Sequence, residues 1–418
     1  VEEGFFLDEV INSFFLRYTL SDAQKSLIYE ISSGVIRWKG FLDWVISRLV
    51  KKNVKQEIRY LLWASIYQIS FMKKGDYHIV NETVDYAKKE YGTYVAGFIN
   101  AVLRKFIREQ AAFFQIQNSK FTSFNPAEGG TIQNLSIAYS FPEWLTKRWL
   151  ERYGKENTVR LFEFLNKTPE FSIRVDINRM SRDKAAKELE GKGIKTRKGP
   201  YSEYALYVDK LMPVFKTTLF KKGFINIQDE ASQLVGLSIQ PEKGDIILDA
   251  CAGLGTKTMH IQERSRDTFV FAMDNEIKRL QSIGRDTDRL LGDALRNPFK
   301  KESIDIILVD APCSSLGIIR KHPEIKWRRN EKDIIDFGNY QLELLDSLWD
   351  NLKTNGHMVY SVCSFEPEET LRVIERFKDK RAFVLENPLP FLFNKEYFLS
   401  LPYETEMDGF FIARLKKI

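Results

Sequence analysis

Ile304-Asp-Ile-Ile-Leu-Val-Asp310-Ala-Pro-Cys313-Ser-Ser315 is a run of aliphatic and β-branched residues that stops at Asp-Ala-Pro. An apolar run bounded in this way reads as a buried strand opening into a loop. Asp310 then sits on the carboxyl edge of a sheet, with Cys313 just beyond it. His357-Met-Val-Tyr360, running into Ser361-Val-Cys363-Ser-Phe-Glu-Pro367, has the same layout. The chain has 3 cysteines, and two of them lie just past strand-like runs. If the two strands are neighbours, about 5 Å apart, both thiols face one crevice. Such a pair points to covalent chemistry on a bound substrate.

Outward from these strands, the pattern from Phe224 to the end alternates strand and helix, which predicts a doubly wound α/β sheet. Its first strand, Asp245-Ile-Ile-Leu-Asp249, runs into Cys251-Ala-Gly253-Leu-Gly255-Thr-Lys257 and a helix. The second, Thr268-Phe-Val-Phe-Ala-Met-Asp274, ends in an acid about 20 residues after the glycine turn, where a nucleotide-binding sheet holds a ribose. The turn is not G-x-G-x-x-G, since Thr258 stands at the last position, and Thr256 before Lys257 excludes a P-loop. S-adenosylmethionine carries no phosphate and needs close backbone approach with acids for its ribose and adenine. Asp274 suits the ribose, and Asp293 the adenine. Asp293 follows Asp274 too soon for a full helix, about 22 Å long, and a returning strand. Either the third strand is cut down or residues are missing near 284–292.

The front of the chain reads differently. Phe5, Phe6, Val10, Ile11, Phe14 and Phe15 recur at helical spacing, as do Leu42, Val45, Ile46 and Leu49. Arg59 to Phe71 has the pattern of a buried helix, so residues 1 to about 112 form an all-α bundle. A polar stretch from 112 to about 135 reads as a linker. Ser140-Phe-Pro-Glu-Trp144 opens a further helix, with serine at its start. The strand Phe171–Ile177 and a helix from Arg182 to Leu189 then make a small α+β unit. The expected domains are therefore 1–135, 136–222 and 223–418.

Composition sets bounds. The 418 residues are 44% apolar, enough for several cores, and 63 basic against 57 acidic residues leave a net charge of +6 that permits nucleic-acid binding. The apolar runs are short and broken by charges, so no membrane span is expected. An odd, unevenly spaced set of cysteines is no disulfide framework, and a reducing cytoplasm suits it better. His78, His260, His322 and His357 are scattered without ligand spacing, so no metal is expected.

Two resemblances follow from these motifs. His78-Ile-Val-Asn-Glu-Thr-Val-Asp-Tyr-Ala87, Gly97-Phe-Ile-Asn-Ala-Val-Leu-Arg104 and Leu27–Arg37 resemble the NusB-type RNA-binding domain. That implies RNA contact through basic residues such as Arg37, Arg104 and Lys105. Asp249–Lys257, Asp310–Gly317 with Arg320–Trp327, Tyr360–Glu369 and Met407–Leu415 are similar to the motifs of the RNA cytosine-C5 methyltransferase family. Ser140–Leu145 and Gln228–Ser232 also fit. With a NusB-like front domain the chain resembles the Sun/Fmu type, which modifies small-subunit (16S) ribosomal RNA. The implied fold is multidomain: a NusB-like bundle, a small α+β unit and a Rossmann-like methyltransferase domain.

The resemblance makes Cys363 the nucleophile that adds to cytosine C6 and Cys313 the residue that assists release. Asp310 binds the base edge and Lys257 lies beside the base. Cys251, Ala252, Gly253, Leu254, Gly255, Thr256, Lys257, Asp274, Asp293 and Asp310 contact S-adenosylmethionine, and Arg320 and Lys326 meet RNA phosphates. Thr256 replaces a glycine usual in the family, and Gly253-Leu254 replaces Ala-Pro, which implies a tighter cofactor loop. The expected protein is a cytoplasmic monomer. Three alternatives stay open at this point: a transfer RNA substrate, a DNA methyltransferase with Cys313 as nucleophile, and an RNA-binding assembly factor with a decayed cofactor site.

Overall fold

The structure, a computed structural model, describes residues 4–72, 74–118, 130–284 and 287–418, with backbone alone for 114–118. The front of the chain is helical: α1 (Leu7–Arg17), α2 (Asp22–Arg37), α3 (Lys39–Leu49), α4 (Gln56–Phe71), α5 (Asp76–Tyr91), α6 (Thr93–Asn118), α7 (Thr131–Tyr139) and α8 (Glu143–Asn166). A small sheet follows, with β1 (Phe171–Val175), α9 (Arg182–Glu190), β2 (Thr196–Lys198), β3 (Ala205–Val208), the turns α10 (Leu211–Phe215) and α11 (Thr218–Lys221), and β4 (Ile225–Ile227). The large sheet is built from α12 (Glu230–Ser238), β5 (Ile246–Asp249), α13 (Thr256–Arg264), β6 (Phe269–Asp274), α14 (Ile277–Leu280), β7 (Asp288–Leu291) and β8 (Ile304–Asp310). Beyond it come α15 (Ile325–Arg328), α16 (Glu331–Trp349), β9 (Leu352–Val362), α17 (Leu371–Lys378), β10 (Phe383–Glu386), β11 (Tyr397–Ser400), α18 (Pro402–Thr405) and β12 (Phe410–Lys417).

Two compact units result: residues up to Lys167 together with His322–Arg328, and Thr168–Lys321 together with Arg329–Ile418. In the helical unit, Ser21 and Gln24 form a reciprocal capping box that starts α2. Phe41, Leu42, Val45, Ile46 and Leu49 of α3 share a core with Leu62 and Ile66 of α4 and Ile99, Leu103 and Phe106 of α6. The face expected of α1 is only partly buried. Leu7 and Ile11 are covered, while Phe5, Phe6, Val10 and Phe14 are exposed. The stretch expected as a linker from 112 is helical as far as Asn118, α7 begins at Thr131, and 119–129 lie outside the described residues. Ser140 does not start α8. It ends α7 in the left-handed region (φ 56°), and its hydroxyl accepts from the backbone N–H groups of Gly40 and Phe41 at 2.9 and 3.3 Å. The segment 322–328 is tied into the same unit: Trp327 Nε1 donates to the Ile36 carbonyl at 2.7 Å, and Leu7 N donates to Glu324 Oε1 at 3.1 Å.

In the second unit the small sheet has the order β2-β3-β1-β4 and the large one β10-β12-β9-β8-β5-β6-β7, with β11 also pairing β12. The pairs β9-β8, β8-β5, β5-β6 and β6-β7 are parallel, while β12 runs antiparallel to β9, β10 and β11. The sheet is therefore mixed. The apolar run of β8 has a physical cause: Ile307 and Val309 pack under α16 and α17 on one face, Ile306 and Leu308 beneath α12 and α13 on the other. A strand covered on both faces must be apolar at successive positions. A register shift between Ile304 and Ile306 turns Ile304 onto the α16 face. The short interval after Asp274 shows in both elements: α14 is a single turn and β7 has 4 residues.

Candidate active site

β8 and β9 are parallel neighbours, with Asp310 opposite Ser361. Both chains leave the sheet at the same edge, and Cys313 Sγ stands 3.1 Å from Cys363 Sγ, with all three cysteines free. The Ser361 hydroxyl donates to Asp310 Oδ1 at 2.7 Å, and Lys257 Nζ donates to Asp310 Oδ2 from the first turn of α13. Ser315 Oγ lies 3.4 Å from Cys363 Sγ and 3.8 Å from Cys313 Sγ. Ser315 holds a left-handed backbone (φ 62°), a conformation that costs a non-glycine residue and clusters at functional sites. Gly317 makes the convergence possible. Its N–H donates to the Cys363 carbonyl at 3.0 Å, and a Cβ there would stand 2.0 Å from the Gly409 oxygen.

Electrostatics divide the two thiols. The Cys313 hydrogen bond holds the Cys363 thiol below its ordinary value; burial opposes this and the Ser315 hydroxyl assists. Cys313 is pushed well up by the same bond and by burial. The shared hydrogen bond therefore favours ionisation of Cys363 over that of Cys313. Burial works against the Lys257 ammonium, yet the Asp310 carboxylate outweighs it and the pKa ends above the usual lysine value. Cys251 is pushed up by burial and then by Asp249, so its thiol stays protonated and packs against the core.

The glycine turn runs from the end of β5. Gly253 (φ +56°) and Gly255 (φ +77°) both adopt left-handed conformations. A Cβ at Gly255 would lie 2.6 Å from Ile283, so a side chain at that position would be both crowded and strained. Gly253 N donates to Asp274 Oδ2 and Glu276 N to Asp274 Oδ1, both at 2.9 Å. Each oxygen keeps lone-pair capacity for a diol. Asp249 accepts from the Thr258 hydroxyl at 2.7 Å through Oδ2, while Oδ1 is buried without a protein partner. Burial raises the Asp249 carboxyl to about 6, against the Thr258 bond. Carboxylates at Asp249, Asp274 and Asp310 around an open glycine turn suit a sulfonium nucleoside, and would repel a pyrophosphate.

The expected residues are thus distributed unequally. Cys313, Cys363, Asp310 and Lys257 form one cluster, with Cys251, Ala252, Gly253, Leu254, Gly255 and Thr256 on the adjoining turn. Asp293 lies on the same edge, just past Leu291, which pairs with Asp274. It caps the turn after β7 by accepting from Leu295 N at 3.0 Å. Arg320 and Lys326 are not surface cations, which corrects the expectation that they meet phosphates. Arg320 is buried on Asp408, with Nε 3.1 Å from Oδ1. Lys326 belongs to the helical unit, fully buried, with Nζ 3.3 Å from Asn166 Oδ1 and 4.1 Å from the Phe141 ring centroid. Burial and then Arg37 push its ammonium well below the ordinary value. Arg37 is itself buried, whereas Arg104 is exposed and bonded to Asn100 at 2.8 Å. Lys105 Nζ reaches the Leu49 carbonyl at 3.5 Å.

Sequence reading passed over three contributors. Arg174 of β1 is buried and donates to the Thr256 carbonyl at 3.0 Å and to Glu263 at 2.8 Å, fixing the start of α13. Ser361 and Glu369 lie inside quoted motifs, and a signal for Glu369 was available: each of the paired cysteines is followed by serine.

Comparison with known proteins places the chain in a family. The family described as 16S rRNA methyltransferase RsmB/F matches residues 236–416, the NusB family 1–108, and the RsmF/B-like ferredoxin-like domain 141–215. The ribosomal RNA small subunit methyltransferase B of Escherichia coli O6:K15:H31 is 32% identical over 434 aligned positions, which take in 100% of this chain and 96% of that protein. Among solved structures, a methyltransferase homolog protein from Pyrococcus horikoshii superposes with a TM-score of 0.57 and 25% identity over 71% of this chain and 100% of its own. NSun6 from the same organism, solved with SFG, shares the fold with a TM-score of 0.60 and 21% identity over 67% of this chain and 99% of its own. With its full length aligned at 32% identity to a ribosomal RNA small subunit methyltransferase B, the chain belongs to the 16S rRNA methyltransferase RsmB/F family.

Proposed function

We propose that the protein methylates C5 of a cytosine in RNA, most specifically 16S ribosomal RNA, through a transient bond between Cys363 and C6. The observation that carries this reading is the contact of two thiols beside the Lys257–Asp310 pair. Cytosine C5 is too weak a nucleophile to take a methyl group unaided, and addition of a thiolate at C6 moves an electron pair onto C5. S-adenosylmethionine, when bound on the glycine turn with its ribose at Asp274, supplies the electrophilic methyl group. Asp310, steadied by Ser361 and Lys257, faces the base edge. Cys363 enters as thiolate, and its S–C6 bond forms as the ring electrons reach C5. Once C5 carries the methyl group, its hydrogen leaves as a proton to water, the C5–C6 double bond returns, and the S–C6 bond breaks with its electrons on sulfur. Cys313, protonated and in contact, is placed to donate a hydrogen bond to the departing sulfur, which leaves as thiolate. The base must leave its stack to enter the site.

In this reading residues 1–135 are an RNA-binding domain with linker, 136–222 a small subdomain, and 223–418 the methyltransferase domain of a cytoplasmic monomer. The three family matches fall inside those limits. No helix among the described residues is long and apolar enough to cross a membrane. Bisulfite mapping tests the reading. The protein with S-adenosylmethionine should convert one cytosine of a 16S transcript to a protected base, leave transfer RNA unprotected, and lose the activity as Cys363→Ser. Protection that persists in Cys363→Ser refutes the assignment.

A further inference from the structure

We infer that Glu369 is the positioning residue that holds the two reacting thiols in register. The inference rests on the two-cysteine reading above. Glu369 closes the 3-10 turn Pro367–Glu369 after the Cys363 loop and is fully buried. Its Oε1 accepts from Ser314 N at 2.6 Å and from Gln341 Nε2 at 3.3 Å. Its Oε2 accepts from the Ser314 hydroxyl at 2.5 Å and the Ser364 hydroxyl at 2.6 Å. Ser314 directly follows Cys313, and Ser364 directly follows Cys363. One carboxylate therefore ties together the residues next to both sulfurs.

The clamp is braced from behind. The Tyr360 hydroxyl donates to the Glu369 carbonyl at 2.6 Å and lies 2.9 Å from Gln341 Oε1, and Gln341 Nε2 donates to the Pro312 carbonyl at 2.9 Å. Arg329 Nε donates to the Ser314 carbonyl at 3.0 Å. Hydrogen bonds to a carboxylate are short and strong, and in a buried site they fix geometry rather than merely add stability. Burial raises the Glu369 carboxyl, and the donors from Ser314 and Ser364 oppose it. Neither sulfur touches Glu369, so it acts through the loops. Attack needs Cys363 alone, whereas release needs Cys313 within contact of the adduct sulfur, and misplacement by about 1 Å costs on the order of a hundredfold.

Glu369→Gln keeps the volume and removes the charge. It should melt near the wild type and bind S-adenosylmethionine within about twofold, with turnover on RNA reduced about tenfold or more at nearly unchanged KM. A covalent RNA adduct, resolved on a denaturing gel, should accumulate in it and in Cys313→Ser alike. Oxidation by diamide, which takes two electrons and two protons from a thiol pair to give a disulfide and the hydrazide, reads the spacing without RNA. Loss of both thiols to that reagent should slow at least about fivefold. Should Glu369→Gln fail to fold, Ser314→Ala and Ser364→Ala each cut one strap and should show the same adduct at lower level. A folded Glu369→Gln with turnover and diamide rate within twofold of wild type overturns the inference, as do serine variants that behave as wild type. A wild-type protein that neither methylates RNA nor forms an adduct instead sinks the function proposed above, and the diamide comparison still judges the clamp.

Discussion

Cys313→Ala should shift the titration of Cys363 upward, because the hydrogen bond from Cys313 is the foremost cause holding that thiol below its ordinary value. Hydrogen bonds to charged groups contribute about 1.5–3 kcal/mol, but an S–H group is a weak donor. The lower end, about 1.5 kcal/mol, is the appropriate figure and corresponds to about tenfold less thiolate at a fixed pH. The alkylation rate falls by less than that. A more basic thiolate is a better nucleophile, with a Brønsted slope of about 0.4–0.5, so the rate at neutral pH drops only about threefold. The pH midpoint of iodoacetamide alkylation is therefore the better readout, followed at the Cys363 peptide by mass spectrometry. Cys251, kept protonated by burial, serves as an internal reference. Cys363→Ala should do the reverse, since the same bond pushes Cys313 up; its midpoint should fall. A Cys363 midpoint unchanged in Cys313→Ala refutes the division of roles between the two sulfurs.

Asp274→Asn should weaken S-adenosylmethionine binding about tenfold to a hundredfold by calorimetry, the worth of charge-assisted bonds to a ribose diol; an affinity within threefold would remove Asp274 from the cofactor site. Lys257→Met leaves the Asp310 carboxylate, only 25% exposed, without its ion-pair partner. That costs about 1–3 kcal/mol of stability, below the usual figure for a fully buried pair because water still reaches the site, and turnover should fall further than the melting temperature alone explains. A variant with wild-type turnover would exclude Lys257 from the chemistry. Lys326 titrates below its unfolded value when folded, so between those two values the unfolded chain holds the extra proton and stability rises with pH. Lys326→Met should melt higher than wild type at pH 7, with the advantage shrinking toward pH 10. A flat difference across that range would show that the buried ammonium is not the cause.

Several features of the site were legible because they are local. The apolar run of β8 and its stop at Asp310-Ala-Pro, the helical period of α3, and the two left-handed glycines follow from short-range sterics and from which faces must be buried. Other features were not legible, for reasons of distance along the chain. Whether β8 and β9 pair depends on how the intervening α16 packs, and only that pairing sets the two sulfurs 3.1 Å apart. Arg320 and Lys326 looked like surface cations because charge usually means exposure; Asp408, and Phe141 with Asn166, all far along the chain, withdraw them. Ser140 carried a helix-start signal, yet its hydroxyl is taken by the N-terminus of α3.

By itself, then, the order of residues determined which elements form, which edge carries the chemistry, and which residue types are available there, since those depend on side chains a few positions apart. Tertiary structure alone decided how the two thiols differ in acidity. Acidity in a buried pair depends on the neighbour each thiol meets across two strands, and on a carboxylate at position 369 that bonds to both loops at once.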